Sequence, residues 1–258
     1  MQPSIFLSHG APTLPLTSCP AHDFLVDLGL QLKKPRAILA VSAHWETATP
    51  TVSAVATNET IHDFYGFPQA LYQLTYPAPG LPELAESVSD LLCTAGLACH
   101  IDRNRGLDHG AWVPLMLMFP QADVPVLQLS LQHGLGPAHH LQLGRALAPL
   151  RDQDVLIVGS GSFTHDLSRF RGQRLDSPAA PDVDAFADWM AERLMRGATC
   201  DLLTYRRQAP HATTHHPSEE HLLPLFVACG AGGEKATARH LHRSTTFGFL
   251  RMDAFAFQ

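Results

Sequence analysis

Four short runs of this chain are apolar at almost every position: Ser4–Ser8, Ala37–Ala43, Val124–Ser130 and Val155–Gly159. A strand with one wet face alternates apolar and polar residues. A run of strand length without that alternation reads as a strand buried on both faces, the situation in a mainly parallel sheet covered by helices on each side. Longer amphipathic stretches separate the runs. Leu81–Ala95 has Pro82 near its start and Gly96 past its end, the preferred places for those residues in a helix. Pro137–Leu150, Asp182–Arg196 and Ser218–Cys229 complete the helical set. In the last, Pro217 is expected at the first helical position, Glu219 and Glu220 in the positive first turn, and Gly230 beyond the end. The expected fold is α/β, with a largely parallel central sheet flanked by helices.

The length of 258 residues admits one large domain or two small ones. No repeat, charge block or low-complexity tract divides it. Arg169–Asp182, with Gly172, Pro178 and Pro181, reads as a surface loop rather than a linker. A single domain over residues 1–258 is therefore expected. A hydrophobic share of 45% with a net charge of only −6 excludes a disordered chain. The acidic balance and the lack of any Lys/Arg cluster argue against a nucleic-acid partner. No apolar window is long enough for a membrane span, and the first residues do not read as a signal peptide. Cys19, Cys93, Cys99, Cys200 and Cys229 are odd in number and form no C-x-x-C pair. They read as reduced packing residues of a cytoplasmic protein.

The chain carries 16 histidines against 18 Lys and Arg together, and their positions are informative. His9 follows the first apolar run and His44 the second. His165 lies a short Gly-rich step after the fourth, in Gly-Ser-Gly-Ser-Phe-Thr-His. Ligands of open α/β sheets bind beyond the carboxyl ends of the strands, so three imidazoles from distant parts of the chain would face one crevice. A further cluster, His211, His215, His216 and His221, leads into the last helix, with His221 expected in its first two turns. Neutral imidazole is a good ligand for divalent iron or zinc. His109 follows a Gly-containing loop and precedes an apolar helix, so it reads as a loop residue placed over the site. His62 sits among aromatics that form either a substrate wall or a packed loop. His22, His100, His133, His139, His140, His240 and His242 lack such context and read as surface residues. There is no phosphate-binding P-loop, no H-E-x-x-H helix and no G-x-S-x-G elbow. Gly159-Ser-Gly161 begins like a dinucleotide fingerprint, but Thr164 stands where its third glycine belongs.

Five motifs then occur in one order: Ser8-His-Gly-Ala-Pro12, Ser42-Ala-His-Trp-Glu46, His62-Asp-Phe-Tyr-Gly-Phe-Pro68, Asp108-His-Gly-Ala-Trp112 and Pro217-Ser-Glu-Glu-His-Leu-Leu-Pro224. Together they resemble the class III extradiol ring-cleaving dioxygenases, in the branch typified by DOPA dioxygenase. The resemblance implies a metal site at the C-terminal ends of the strands, with His9, His44 and His221 as ligands. It makes His165 the acid–base residue, close enough to be considered as a fourth ligand. It sets His109 against the substrate or the bound oxygen. Many extradiol enzymes hold iron with two His and one carboxylate. Here His221 stands where relatives that cleave protocatechuate have Glu, and Glu219 and Glu220 are near enough to be considered as ligands.

The resemblance implies Fe(II) as the working cofactor, with Zn(II) an alternative occupant, and a catechol and O2 as substrates. Trp45, His62, Phe64, Tyr65 and Phe67 are the expected ring-facing residues. Two other readings use the same histidines: a zinc hydrolase acting through metal-bound water, and a metal-binding protein without catalysis. Homo-oligomerisation is left open.

Overall fold

In the computed structural model, which describes residues 1–258, the chain starts with strand β1 (Ser4–Ser8), helix α1 (Pro20–Gln31), β2 (Ala37–Glu46) and β3 (Thr51–Ser53). Helix α2 (Pro82–Thr94), β4 (His100–Asp102), α3 (His109–Met118), β5 (Val126–Leu131), α4 (Gly136–Leu147) and β6 (Val155–Gly161) follow. Next come α5 (Pro181–Met195), the short α6 (Thr199–Leu203), α7 (Tyr205–Gln208) and α8 (Ala212–His215), and then α9 (Leu223–Ala231). The chain closes with β7 (Ala238–His242), the small hairpin of β8 (Thr245–Thr246) and β9 (Leu250–Arg251), and β10 (Ala254–Phe257).

Eight strands form one sheet in the order β4-β3-β5-β2-β6-β1-β10-β7. The central β5, β2, β6 and β1 run parallel. β3 is antiparallel to β5 and β10 antiparallel to β1, so the sheet turns over at both flanks. Successive side chains of the central strands enter different cores. Along β2, Ile38 and Ala40 join Leu25 and Trp112 under α1 and α3, while Leu39 and Val41 join Leu143, Phe186 and Val227 under α4, α5 and α9. Each fully buried aliphatic side chain contributes about 1.5–3 kcal/mol. Burial on both faces is why these runs are largely apolar, and the parallel direction of the four strands brings their carboxyl-terminal ends to one edge of the molecule. No helix is long and apolar enough to cross a membrane, and all five cysteines are free thiols.

Three sequence expectations need correction. β2 continues to Glu46, so His44 belongs to the strand instead of following it. The last helix begins at Leu223, not Ser218, and Pro224 instead of Pro217 occupies its first turn. Residues 217–222 form bends and turns because their polar groups are engaged elsewhere: the His221 carbonyl accepts the Ser162 amide at 2.8 Å. His221 therefore precedes the helix. Finally, His140 is fully buried and not on the surface, its Nε2 accepting the Gln132 amide at 3.2 Å.

Candidate active site

Parallel strand ends bring His9 and His44 together. The His9 amide donates to the Gly161 carbonyl at 3.0 Å, fixing the exit of β1 against that of β6. The His9 Nδ1 lies 3.0 Å from Ser160 Oγ, and the Ser160 hydroxyl itself donates to the Gly110 carbonyl. Ser160 has one proton, so it accepts from Nδ1–H of His9 and leaves His9 Nε2 as an acceptor that faces His44. His44 Nε2 lies 3.1 Å from His9 Nε2. The His44 amide donates to Ser42 Oγ, which donates to Asp108 Oδ1 at 2.7 Å. Asp108 is fully buried; it caps α3 through the Ala111 amide and is neutralised by Arg105 at 2.9 Å. Gly110 is required beneath them, since a Cβ there would overlap Ser42 Oγ and crowd the His44 ring.

The third imidazole arrives from the turn before α9. Gly159 and Gly161 let this segment lie directly on β6: a Cβ at Gly161 would overlap the His221 carbonyl, and one at Gly159 the Pro224 carbonyl. The pair that begins like a dinucleotide fingerprint thus serves close packing. His221 Nδ1 meets Glu220 Oε1 at 2.9 Å, while its Nε2 is buried without any hydrogen-bond partner. One ligand atom each from His9, His44 and His221 lie within 4.8 Å of one another. Burial pushes His9 and His221 well below the usual imidazole range, and burial plus the His109 charge pushes His44 to about 3 despite the opposing Asp63. All three are neutral at pH 7, the form that ligates a metal. A buried orphan Nε2 and three inward imidazoles fit a divalent cation.

Two further histidines flank this trio. His165 stacks on His221 with ring centroids 3.4 Å apart, its amide donating to the His215 carbonyl at 2.8 Å. Burial lowers it to about 4 against the pull of Glu220 and Asp166. His109 is not a loop residue but the first residue of α3, since Asp108 caps the helix directly before it, and its ring lies 3.9 Å from that of His44. Asp63 Oδ1 accepts the His109 amide at 2.9 Å and lies 2.9 Å from His109 Nδ1, which makes no hydrogen bond of its own. Burial alone would raise Asp63; its contacts with His109 outweigh that and hold it below the usual carboxylate range.

The aromatic candidates separate. Phe64 meets the His109 ring edge-on at 5.7 Å, and Phe67 and His62 pack against Phe64. The His62 Nε2 reaches the Leu74 carbonyl at 3.0 Å and is occupied there. Trp45 is buried under the Arg105 guanidinium, 5.1 Å from its ring centre. Tyr65 is 92% exposed. Glu219 accepts the Tyr205 hydroxyl at 3.0 Å, turned from the cluster, whereas Glu220 faces both His221 and His165. Asp63, Ser160 and Gly110 carry no signal of their own in the sequence, although each lies inside a quoted motif.

Residues 5–250 match the family described as the catalytic LigB subunit of aromatic ring-opening dioxygenase. The chain belongs to that family. Relatives of this LigB-family chain include 4,5-DOPA dioxygenase extradiol of Beta vulgaris, 46% identical over 98% of this chain and 96% of the relative. The 4,5-DOPA dioxygenase extradiol of Escherichia coli K12 is 38% identical over 89% of this chain and 84% of its own length. An uncharacterized Escherichia coli K12 protein of known crystal structure superposes with a TM-score of 0.82 at 30% identity, covering all of both chains. The LigB-family chain is thus an oxidoreductase, an extradiol ring-cleaving dioxygenase. Membership sets aside the hydrolase and storage readings.

Proposed function

We propose that this LigB-family enzyme opens a DOPA-like catechol with O2 at a divalent metal held by His9, His44 and His221, with residues 1–258 acting as one catalytic domain. The supporting observation is the buried, unpartnered Nε2 of His221, sharing one 4.8 Å cluster with ligand atoms of His9 and His44. Fe(II), when bound there, supplies redox coupling between an electron-rich ring and dioxygen. Zn(II) suits the same three imidazoles but has no redox chemistry, so it would occupy the site without supporting turnover.

The protein's own groups manage protons and position. His165 rests neutral at pH 7, so it accepts the proton of a catechol hydroxyl and holds it for return as the ring opens. Because it rests as the neutral imidazole and not as imidazolium, it acts as base before it acts as acid. His109, anchored by Asp63, is placed to hydrogen-bond oxygen atoms on which charge develops, a role worth about 3–4 kcal/mol in other enzymes. Phe64 offers an apolar face to the ring, braced by Phe67 and His62. We assign no ring contact to Trp45 or Tyr65, and Glu219 is not a ligand in this reading. The free thiols and net charge of −6 support a cytoplasmic enzyme without membrane or nucleic-acid partners.

Oxygen uptake tests the reading. Metal-stripped protein reloaded anaerobically with Fe(II) should consume O2 with DOPA or 4-methylcatechol, giving a coloured semialdehyde. Equal turnover with Zn(II), or none with Fe(II), would overturn it.

A further inference from the structure

Three neutral imidazoles leave a bound dication with its full charge, unlike a site with a carboxylate ligand. Negative charge nevertheless stands close by. Glu220 Oε1 is 2.9 Å from His221 Nδ1, in a geometry that makes the ring donate Nδ1–H to the carboxylate. The Glu220 side chain is 19% exposed and that of His221 is 7% exposed, so water screens the pair little. On the other face of the ring, Nε2 is buried and free. An imidazole whose Nδ1–H is given to a carboxylate has its tautomer fixed and its Nε2 made more basic. Glu219, one residue earlier, is committed to Tyr205 and cannot substitute. His9 has only a neutral partner, Ser160, in the equivalent place, and His44 Nδ1 is 3.7 Å from Asp63 Oδ2, beyond hydrogen-bond reach.

We propose that Glu220 is a positioning residue of the metal centre: it locks the His221 ring through Nδ1–H and supplies, one hydrogen bond away from the ion, the negative charge that other extradiol sites place in the ligand shell. The inference rests on the ligand set proposed above. Of the three imidazoles only His221 gives its Nδ1–H to a carboxylate, and loss of that bond should weaken binding more than loss of a neutral support.

The test is an equilibrium titration of the full-length, metal-free protein with Co(II) against a chromophoric chelator, comparing wild type with E220Q, E220D and E219Q. E220Q keeps an acceptor oxygen but no charge, and its affinity should fall by about 10–100-fold, the usual effect of removing such a partner. E220D, with the charge retained at a shorter reach, should lie between E220Q and wild type. E219Q makes the same charge change one residue away and should bind as wild type does. Unchanged affinity in E220Q, or an equal fall in E219Q, overturns the proposal. Should E220Q fail to fold, E220D decides: wild-type affinity with a wild-type Co(II) spectrum would overturn it. Failure of the ligand set is distinguishable, because then wild type would not bind Co(II) or H221A would bind it as tightly as wild type.

Discussion

His165 and His221 lie face to face, but their surroundings give them different work. The His221 Nδ1 is committed to Glu220, whereas His165 donates only its backbone amide and keeps both ring nitrogens available. His165→Ala is therefore expected to retain metal, by elemental analysis, while kcat for catechol-dependent oxygen uptake falls about 10²–10⁴-fold, the usual worth of a general base. Loss of the metal in that variant would move His165 into the ligand set. Ser160→Ala removes the acceptor for His9 Nδ1–H and should weaken Co(II) binding about 10-fold, the low end for a supporting hydrogen bond; the same chelator competition reads it. At this scale the sequence shows only part of the site. His9 and His44 stand out because each imidazole directly follows a largely apolar run, where packing alone gives little reason for it. Asp63 and Ser160 carry no signal of their own until folding supplies the imidazole that each one supports, and Glu220, flagged in the sequence only as a candidate ligand, is found supporting His221 instead.

Among the elements, β6 does the most positioning. Its two glycines admit the backbone of residues 221–224, so Gly161→Ala must push His221 away from the strand. A cost of about 1–3 kcal/mol, typical of overpacking, is expected in denaturant unfolding. Co(II) affinity should fall in the same variant; wild-type affinity would mean that His221 is not placed by this contact. The central strands are legible in the sequence because burial on both faces removes polar residues from them. β3 and β4 are not, being three residues each, and β7, with the sequence Ala-Arg-His-Leu-His, carries polar side chains at the sheet edge. The start of α9 is misread because Pro217, Glu219 and Glu220 mimic a helix start. The Ser162 amide and the Tyr205 hydroxyl claim the polar groups that such a start would use.

The whole molecule carries a pH consequence of so many buried imidazoles. Burial holds His44 and His216 at about 3, and His140 and His165 at about 4, against about 6.5 in the unfolded chain. Between those values the unfolded state binds protons that the folded state refuses, so stability is full above pH 6.5 and is lost as pH falls below it. Each such group costs up to about 1.4 kcal/mol per pH unit. The Tm of the metal-free protein should therefore drop steeply from pH 7.5 to 5.5, and a bound divalent ion should raise it by binding the folded state. A Tm independent of pH over that range would mean that these imidazoles are not buried neutral.

The most direct test of the central claim is crystallographic. Crystals of the Fe(II)-loaded protein, grown without oxygen, can be measured across the iron absorption edge. One strong anomalous peak is expected within bonding distance of Nε2 of His9, His44 and His221 together. A peak out of reach of any of the three, for instance between His44, Asp63 and His109, would contradict the account.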